Sequence, residues 1–266
     1  LRDYRFGSNR INEKYLRTDF KRLIAMNLVI DVGNTRTKLA VFEGDGMVDF
    51  VAEEFVTISF LKDFFCKYSI DNSIISSVSF TKREIELFLQ RNSNFIKFEA
   101  NTYKSLSIDY QTHLSLGKDR IAAAIGALAV FPDTNMLIVD VGSCVTYDLV
   151  TKDAVFHGGN IAPGFYMRLK AMHDYTAKLP IVKQYIPDKF VGKNTKEAVL
   201  YGAFWGIVFE IDSYYRRLKI QYPDIRLVLT GGDARYFENS IKRCTFVNSN
   251  LVLIGLNKVI NSIERE

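Results

Sequence analysis

Asp31-Val32-Gly33-Asn34-Thr35-Arg36-Thr37-Lys38 decides the fold of this chain. The apolar run Leu28-Val29-Ile30 enters it, and Leu39-Ala40-Val41-Phe42 leaves it. A carboxylate therefore stands at the end of a buried strand, and a glycine follows two residues later. Glycine lets backbone N–H groups come close to an anion, and a turn of successive N–H groups forms an anion-binding concavity. Asn34 and Thr35 add polar hydrogens, and Lys38 adds a full positive charge. Asp31 supplies an acceptor suited to a metal ion or its water. These residues fit a phosphate-binding hairpin. They lack the glycine spacing of a Walker A loop, and no long helical pattern follows. An ordinary tight turn with an Asp–Thr hydrogen bond competes with that reading.

The hairpin recurs. Met136-Leu137-Ile138-Val139 leads into Asp140-Val141-Gly142-Ser143-Cys144-Val145-Thr146-Tyr147-Asp148. Two copies of Asp-Val-Gly plus a hydroxyl or amide residue, 109 positions apart, point to a duplicated unit of domain size. Two facing hairpins would hold a polyphosphate and its metal between two lobes. In this the chain resembles the acetate and sugar kinase/Hsp70/actin superfamily. The resemblance implies an α/β fold of two ribonuclease H-like lobes with an ATP cleft between them. The expected boundaries are 26–115 and 116–266, with the last helix packing back on the first lobe.

The bulk numbers limit the alternatives. The 266 residues suit two modest domains, and the net charge is +5. Residues 1–25 carry seven Lys/Arg against three acids, +4 of that charge. They are read as an upstream basic extension, with Met26 as the native start. The remainder is near neutral, which speaks against a nucleic-acid partner. Cys66, Cys144 and Cys244 show neither metal nor disulfide spacing, so a reducing cytoplasm is expected. No run approaches the ~20 apolar residues of a membrane span.

Along the chain, residues 47–55 read as a third strand, 58–68 as a helix, 73–78 as a buried strand, and 82–90 as a helix capped by Thr81. Residues 95–98 read as a strand. Gly117-Lys118-Asp119-Arg120 then opens Ile121–Val130, a helix apolar on most faces and so expected between layers. Asp119 fits a cleft residue. It also fits a helix-dipole partner with Arg120 in a surface pair. His157-Gly158-Gly159 and Pro163-Gly164 read as closely approached backbone or as tight turns. His157 and His173 read as structural. Helices are expected at 165–175, at 196–220 with Asn194 or Thr195 as cap, and at 251–265. Trp205 reads as core or interface. Residues 226–230 form a strand running into Gly231-Gly232, a nucleoside contact by position.

The ordered set closely resembles one family, type III pantothenate kinase. It comprises D-x-G-N-T-x-x-K, G-x-D-R, D-x-G-T with a following Thr and Asp, G-G-x-I-x-P-G, an Asn-Thr before a long helix, and a late Gly-Gly. The resemblance covers residues 26 to about 255. It implies ATP-dependent phosphorylation of pantothenate, the first committed step to coenzyme A. By that resemblance Asp31, Val32, Gly33, Asn34, Thr35, Arg36, Thr37, Lys38 and Ser143 bind ATP, and Asp119 accepts the proton. Tyr110, Gly117, Lys118, Asp119, Arg120 and Thr195 bind pantothenate, and Asp140 ligates a monovalent cation, K⁺ or NH₄⁺. Mg²⁺ accompanies ATP, and a homodimer completes the pocket. Ser143-Cys144 stands where Thr-Ala is usual, and Thr112-His113 where Asn-Pro is common. Lys118 and Arg120 are expected to keep Asp119 ionised. A catalytically inactive regulator on the same fold is the alternative, disfavoured by three retained carboxylates. A two-metal nuclease is disfavoured by the near-neutral body.

Overall fold

The structure, a computed structural model, describes residues 25–77, 83–112, 115–243 and 246–263. The expectations for 1–24, Val78, Thr81, Lys82, His113, Cys244 and Arg265 lie outside them. The first apolar runs form an antiparallel meander of β1 (Met26–Val32), β2 (Thr37–Glu43) and β3 (Gly46–Glu53). The helix α1 (Ile58–Lys67), capped by the Thr57 hydroxyl, then returns the chain to β4 (Asn72–Ser77). β4 lies parallel to β1. α2 (Arg83–Asn92) leads to β5 (Asn94–Lys97), parallel to β4. The sheet order is β3-β2-β1-β4-β5.

The second sheet repeats the plan. β6 (Ser107–Ile108) lies on its edge beside β9. β7 (Met136–Val141), β8 (Cys144–Thr151) and β9 (Val155–Pro163) form the meander. β10 (Arg226–Thr230) lies parallel to β7, and β11 (Phe246–Val247) parallel to β10. The duplication read from Asp-Val-Gly is thus a duplication of strand order as well.

One reading is corrected here. Residues 157–163 are not turns but part of β9. The glycines serve close approach. Gly158, at φ +85°, faces the Tyr110 ring, and a Cβ on Gly159 would collide with the Tyr147 carbonyl.

Strand alternation gives each sheet two apolar faces. Leu28, Ile30, Leu39 and Ile75 meet α1 and α2 on the outside of the first sheet. Leu137, Val139, Leu227 and Leu229 meet α4 (Phe165–Asp174), α5 (Thr195–Gln221) and α6 (Ala234–Phe237) outside the second. The opposite faces, with Val29, Ile74, Ile138 and Val228, share one core with α3 (Lys118–Val130) and α7 (Leu251–Ile263). The expected burial of α3 is explained: it lies between layers. α3 and α7 touch backbone to backbone, for a Cβ on Gly126 would strike the Leu251 carbonyl and one on Gly255 the Ala122 carbonyl.

α7 docks on the first sheet through buried amides. The Asn27 amide donates to Asn257 and Asn261, each at 2.9 Å, and Asn257 donates to the Gly44 carbonyl at 2.8 Å. Asn194 caps α5, its side chain accepting from Glu197 N–H at 3.0 Å. No helix among the described residues is long and apolar enough to cross a membrane.

Candidate active site

The same alternation that puts Val29 and Ile138 inside puts Asp31 and Asp140 inside, two residues on. Both sit at carboxyl-terminal strand ends. Asp31 lies in register with Lys38 on β2 and Ser76 on β4. Asp140 lies in register with Thr146 on β8 and Thr230 on β10. The turns close with Gly33 N–H on the Arg36 carbonyl at 3.1 Å and Gly142 N–H on the Cys144 carbonyl at 2.8 Å. Their tips meet: Thr35 Oγ1 and Ser143 Oγ share a hydrogen bond of 3.0 Å. Asp31 Oδ1 is buried without a hydrogen-bond partner among the described residues, so that oxygen does not close an ordinary Asp–Thr turn.

Two glycines let other chain segments press on the second hairpin. A Cβ on Gly164 would collide with the carbonyls of Gly142 and Ser143. One on Gly231, at φ +96°, would collide with the Asp140 carboxylate. Beyond Gly231 and Gly232 opens a cleft of about 600 Å³ that also meets Arg36, Lys38, Arg235 and Asn250. It has elements of both sheets on its walls, as a nucleotide site between lobes requires. Asn34, Thr35 and Arg36 are exposed at the hairpin tip, while Thr37 is buried.

Gly117 starts α3, and Asp119 stands in its first turn, partly exposed, with Oδ1 accepting Arg120 N–H at 2.9 Å. The flanking cations do not serve Asp119. Lys118 pairs with Glu99 at 2.8 Å. Arg120, 6% exposed, binds Asp148, 2% exposed, through Nε at 3.0 and 3.2 Å and through Nη2. Its guanidinium lies 5.9 Å from the Tyr110 ring centre and 5.6 Å from that of Phe156. Both cations thus have partners other than Asp119, and the surface-pair account of Arg120 is corrected: it is buried against Asp148. Residues one apart on a helix do not face each other.

Asp148 is legible as the Asp that closes the second hairpin motif, but no spacing in the sequence pairs it with Arg120. Tyr110 and Gly117 are brought beside the first turn of α3, Tyr110 against the Arg120 guanidinium and Gly117 against Asp119 Oδ1. Thr195 stands exposed on the first turn of α5, in the outer layer. The two histidines are bonded elsewhere: His157 Nε2 to Thr151 Oγ1 at 2.9 Å and His173 Nδ1 to the Leu179 carbonyl at 2.8 Å.

Electrostatically the bases of the two hairpins bring carboxylates together. Burial pushes Asp31 up from 3.8 to about 7, opposed by Lys38 and reinforced by Asp119 and Asp140. Burial likewise pushes Asp140 up to about 6, opposed by Lys38 and reinforced by Asp119, Asp148 and Asp233. Burial also raises Asp148 against the pull of Arg120. Such a site gains from a cation. Its donors are oxygens, which suit hard cations such as Mg²⁺ and K⁺. Among the described residues no group of three or more His, Cys, Asp or Glu is placed to cage a metal. A cation here must draw on hydroxyls, carbonyls, water and phosphate oxygens besides Asp31 or Asp140. The orphaned Asp31 oxygen fits that demand.

The sequence matches the family model described as type III pantothenate kinase over residues 27–217. It is 37% identical over 240 residues to a Bacteroides fragilis protein named type III pantothenate kinase, covering 89% of this chain and 98% of the relative. A solved Campylobacter jejuni structure, described as a Baf family transcriptional activator, superposes with a TM-score of 0.61 at 22% identity. It covers 90% of this chain and 100% of its own. A Sinorhizobium meliloti structure described as a 2-dehydro-3-deoxygalactonokinase gives 0.56 at 12% identity, covering 89% and 99%. The two structures share the fold. The chain belongs to the type III pantothenate kinase family, and its two-sheet α/β architecture is the one those two solved structures share.

Proposed function

We propose that this chain transfers the γ-phosphoryl group of ATP to the primary hydroxyl of pantothenate, giving 4'-phosphopantothenate and ADP on the route to coenzyme A. The observation that carries the reading is the convergence of Asp31, Asp119 and Asp140 where two phosphate hairpins touch. Phosphoryl transfer asks for alignment and charge neutralisation more than covalent help. In this reading the backbone of residues 31–38, with Lys38 and Ser143, holds the phosphates. Asp119 accepts the hydroxyl proton as the new O–P bond forms and the bond to the β-phosphate oxygen breaks. Tyr110, Gly117, Lys118 and Arg120 line the pantothenate side. Bound Mg²⁺ and a monovalent cation neutralise phosphate charge, with Asp31 and Asp140 as their protein carboxylates. The lobes are read as 26–115 and 116–266.

Thr195 reaches substrate, in this reading, in a homodimer. Its support is an aromatic cluster formed by Phe190 with Trp205 and Phe209 of the middle of α5, with ring centres 5.5 to 6.3 Å apart. Phe190 is 61% exposed and Phe209 52%. The test of the reaction is ADP release that depends on pantothenate. Asp119→Asn keeps the oxygen that accepts Arg120 N–H, so the fold and ATP binding should persist. Loss of a positioned proton acceptor should lower kcat by about 10²–10⁴. Turnover within a few-fold of the parent would make Asp119 structural.

A further inference from the structure

Three buried side-chain atoms lack a hydrogen-bond partner among the described residues: Asp31 Oδ1, Ser76 Oγ and Thr230 Oγ1. All three belong to one feature of the fold. Ser76 stands in register with Asp31, and Thr230 in register with Asp140, each on the neighbouring parallel strand and on the same face. β4 and β10 hold equivalent places in the two sheets, so the duplicated plan carries the same device twice: a hairpin aspartate with a hydroxyl at its flank. Ser76 and Thr230 are 0% and 1% exposed. Burying an unused hydroxyl leaves its desolvation uncompensated, and an apolar group of like shape would avoid that. Elsewhere the chain avoids it. Ser73, three residues before Ser76 and as deeply buried, bonds Ser93 Oγ at 2.6 Å. Ser76 Oγ and Asp31 Oδ1 stand on neighbouring strands in register and on one face, yet neither bonds the other. A hydroxyl can accept from a cation's water or ligate a hard cation directly.

We propose that Ser76 and Thr230 are positioning residues for the cations of phosphoryl transfer, Ser76 on the Mg²⁺–phosphate side at Asp31 and Thr230 on the monovalent-cation side at Asp140. The proposal rests on the phosphotransferase reading of the cleft. It assigns a role to two residues outside the recognisable motifs.

The test separates this from a structural hydroxyl by melting curves without catalysis. Ser76→Ala and Thr230→Val are melted alone, then with MgATP in potassium and in sodium. Without ligand both should melt at or above the parent temperature, since an unsatisfied hydroxyl has been removed. The potassium needed for half of the MgATP-induced rise should increase about 10- to 100-fold in Thr230→Val. The MgATP concentration for that rise should increase similarly in Ser76→Ala. Thr230→Ser, which keeps the hydroxyl and loses a methyl, should stay near the parent in potassium response. A lowered melting temperature without ligand, or failure to fold, assigns the hydroxyls to structure and overturns the proposal. So do parent-like ligand responses in both variants. A parent that gains no stability from MgATP in potassium overturns the cleft reading and this proposal together, whereas a responsive parent with equally responsive variants overturns this proposal alone.

Discussion

Asp119 owes its orientation to a residue without a side chain. Its Oδ1 occupies the space that a Cβ on Gly117 would take. Gly117 itself has φ −57° and ψ 127°, which alanine adopts freely, so Gly117→Ala strains no backbone. The substitution instead pushes the Asp119 carboxylate off its place. We expect Gly117→Ala to melt within about 2 °C of the parent, since its cost lies in one side-chain rotation. We expect it to lose about 10² in kcat, the order that a 1 Å misplacement carries. Parent-like kcat would mean that Asp119 does not need this pose. The motif made Asp119 legible in the sequence, but its surroundings were not. Arg120 was read beside Asp119 because it is next in sequence. In the helix it turns away to Asp148, 28 positions on, and no local pattern announces so distant a partner.

The pair α3 and α7 fixes the inner layer, and it does so by glycine. Gly255→Ala would drive a methyl into the Ala122 carbonyl, with backbone on both sides and no side chain free to yield. Overpacking of that kind costs roughly 1–3 kcal/mol, which for a chain of this size is a fall of about 2–10 °C in Tm. Gly202 in α5 is exposed with nothing within 4 Å of an added Cβ, so Gly202→Ala should hold or raise Tm by the ordinary helix preference. Equal effects of the two changes, read by calorimetry, would show that the crossing has slack. The strands were legible because apolar runs and Asp-Val-Gly repeats state them directly, and α3 because it is apolar all round. The crossing was not, because a lone glycine in a helix reads as a local weakness until its partner helix is known. The β9 glycines bear out close approach rather than tight turns, but their partners, Tyr110 and the Tyr147 carbonyl, are contacts that only the folded sheet creates.

At the scale of the whole molecule, stability and ligand binding share the same protons. Asp31 and Asp140 titrate near 7 and 6 in the folded chain against 3.8 ordinarily. Between about pH 4 and 7 the folded protein therefore holds protons that the unfolded chain has released, and stability from these groups falls as pH rises. Asp49, Asp188 and Glu210 are held below their ordinary values, by Lys67, by Tyr201, and by Arg168 with Tyr147 against burial. They have the opposite sign, their contribution being lost as the solution is acidified below about 4.5. Unliganded protein should thus be most stable near pH 5 and decline toward 7.5. In the proposed reading MgATP with potassium takes the ionised carboxylates and displaces their protons, and its stabilising effect should then grow across that window. Asn at position 31 carries no proton to lose, and Asp31→Asn should flatten the unliganded decline while leaving the acid limb unchanged. Melting curves from pH 4 to 8, with and without MgATP and potassium, read both effects. If the unliganded parent is flat or rising from pH 5 to 7.5, or if Asp31→Asn declines as steeply as the parent, the burial of Asp31 does not govern the proton balance of this fold.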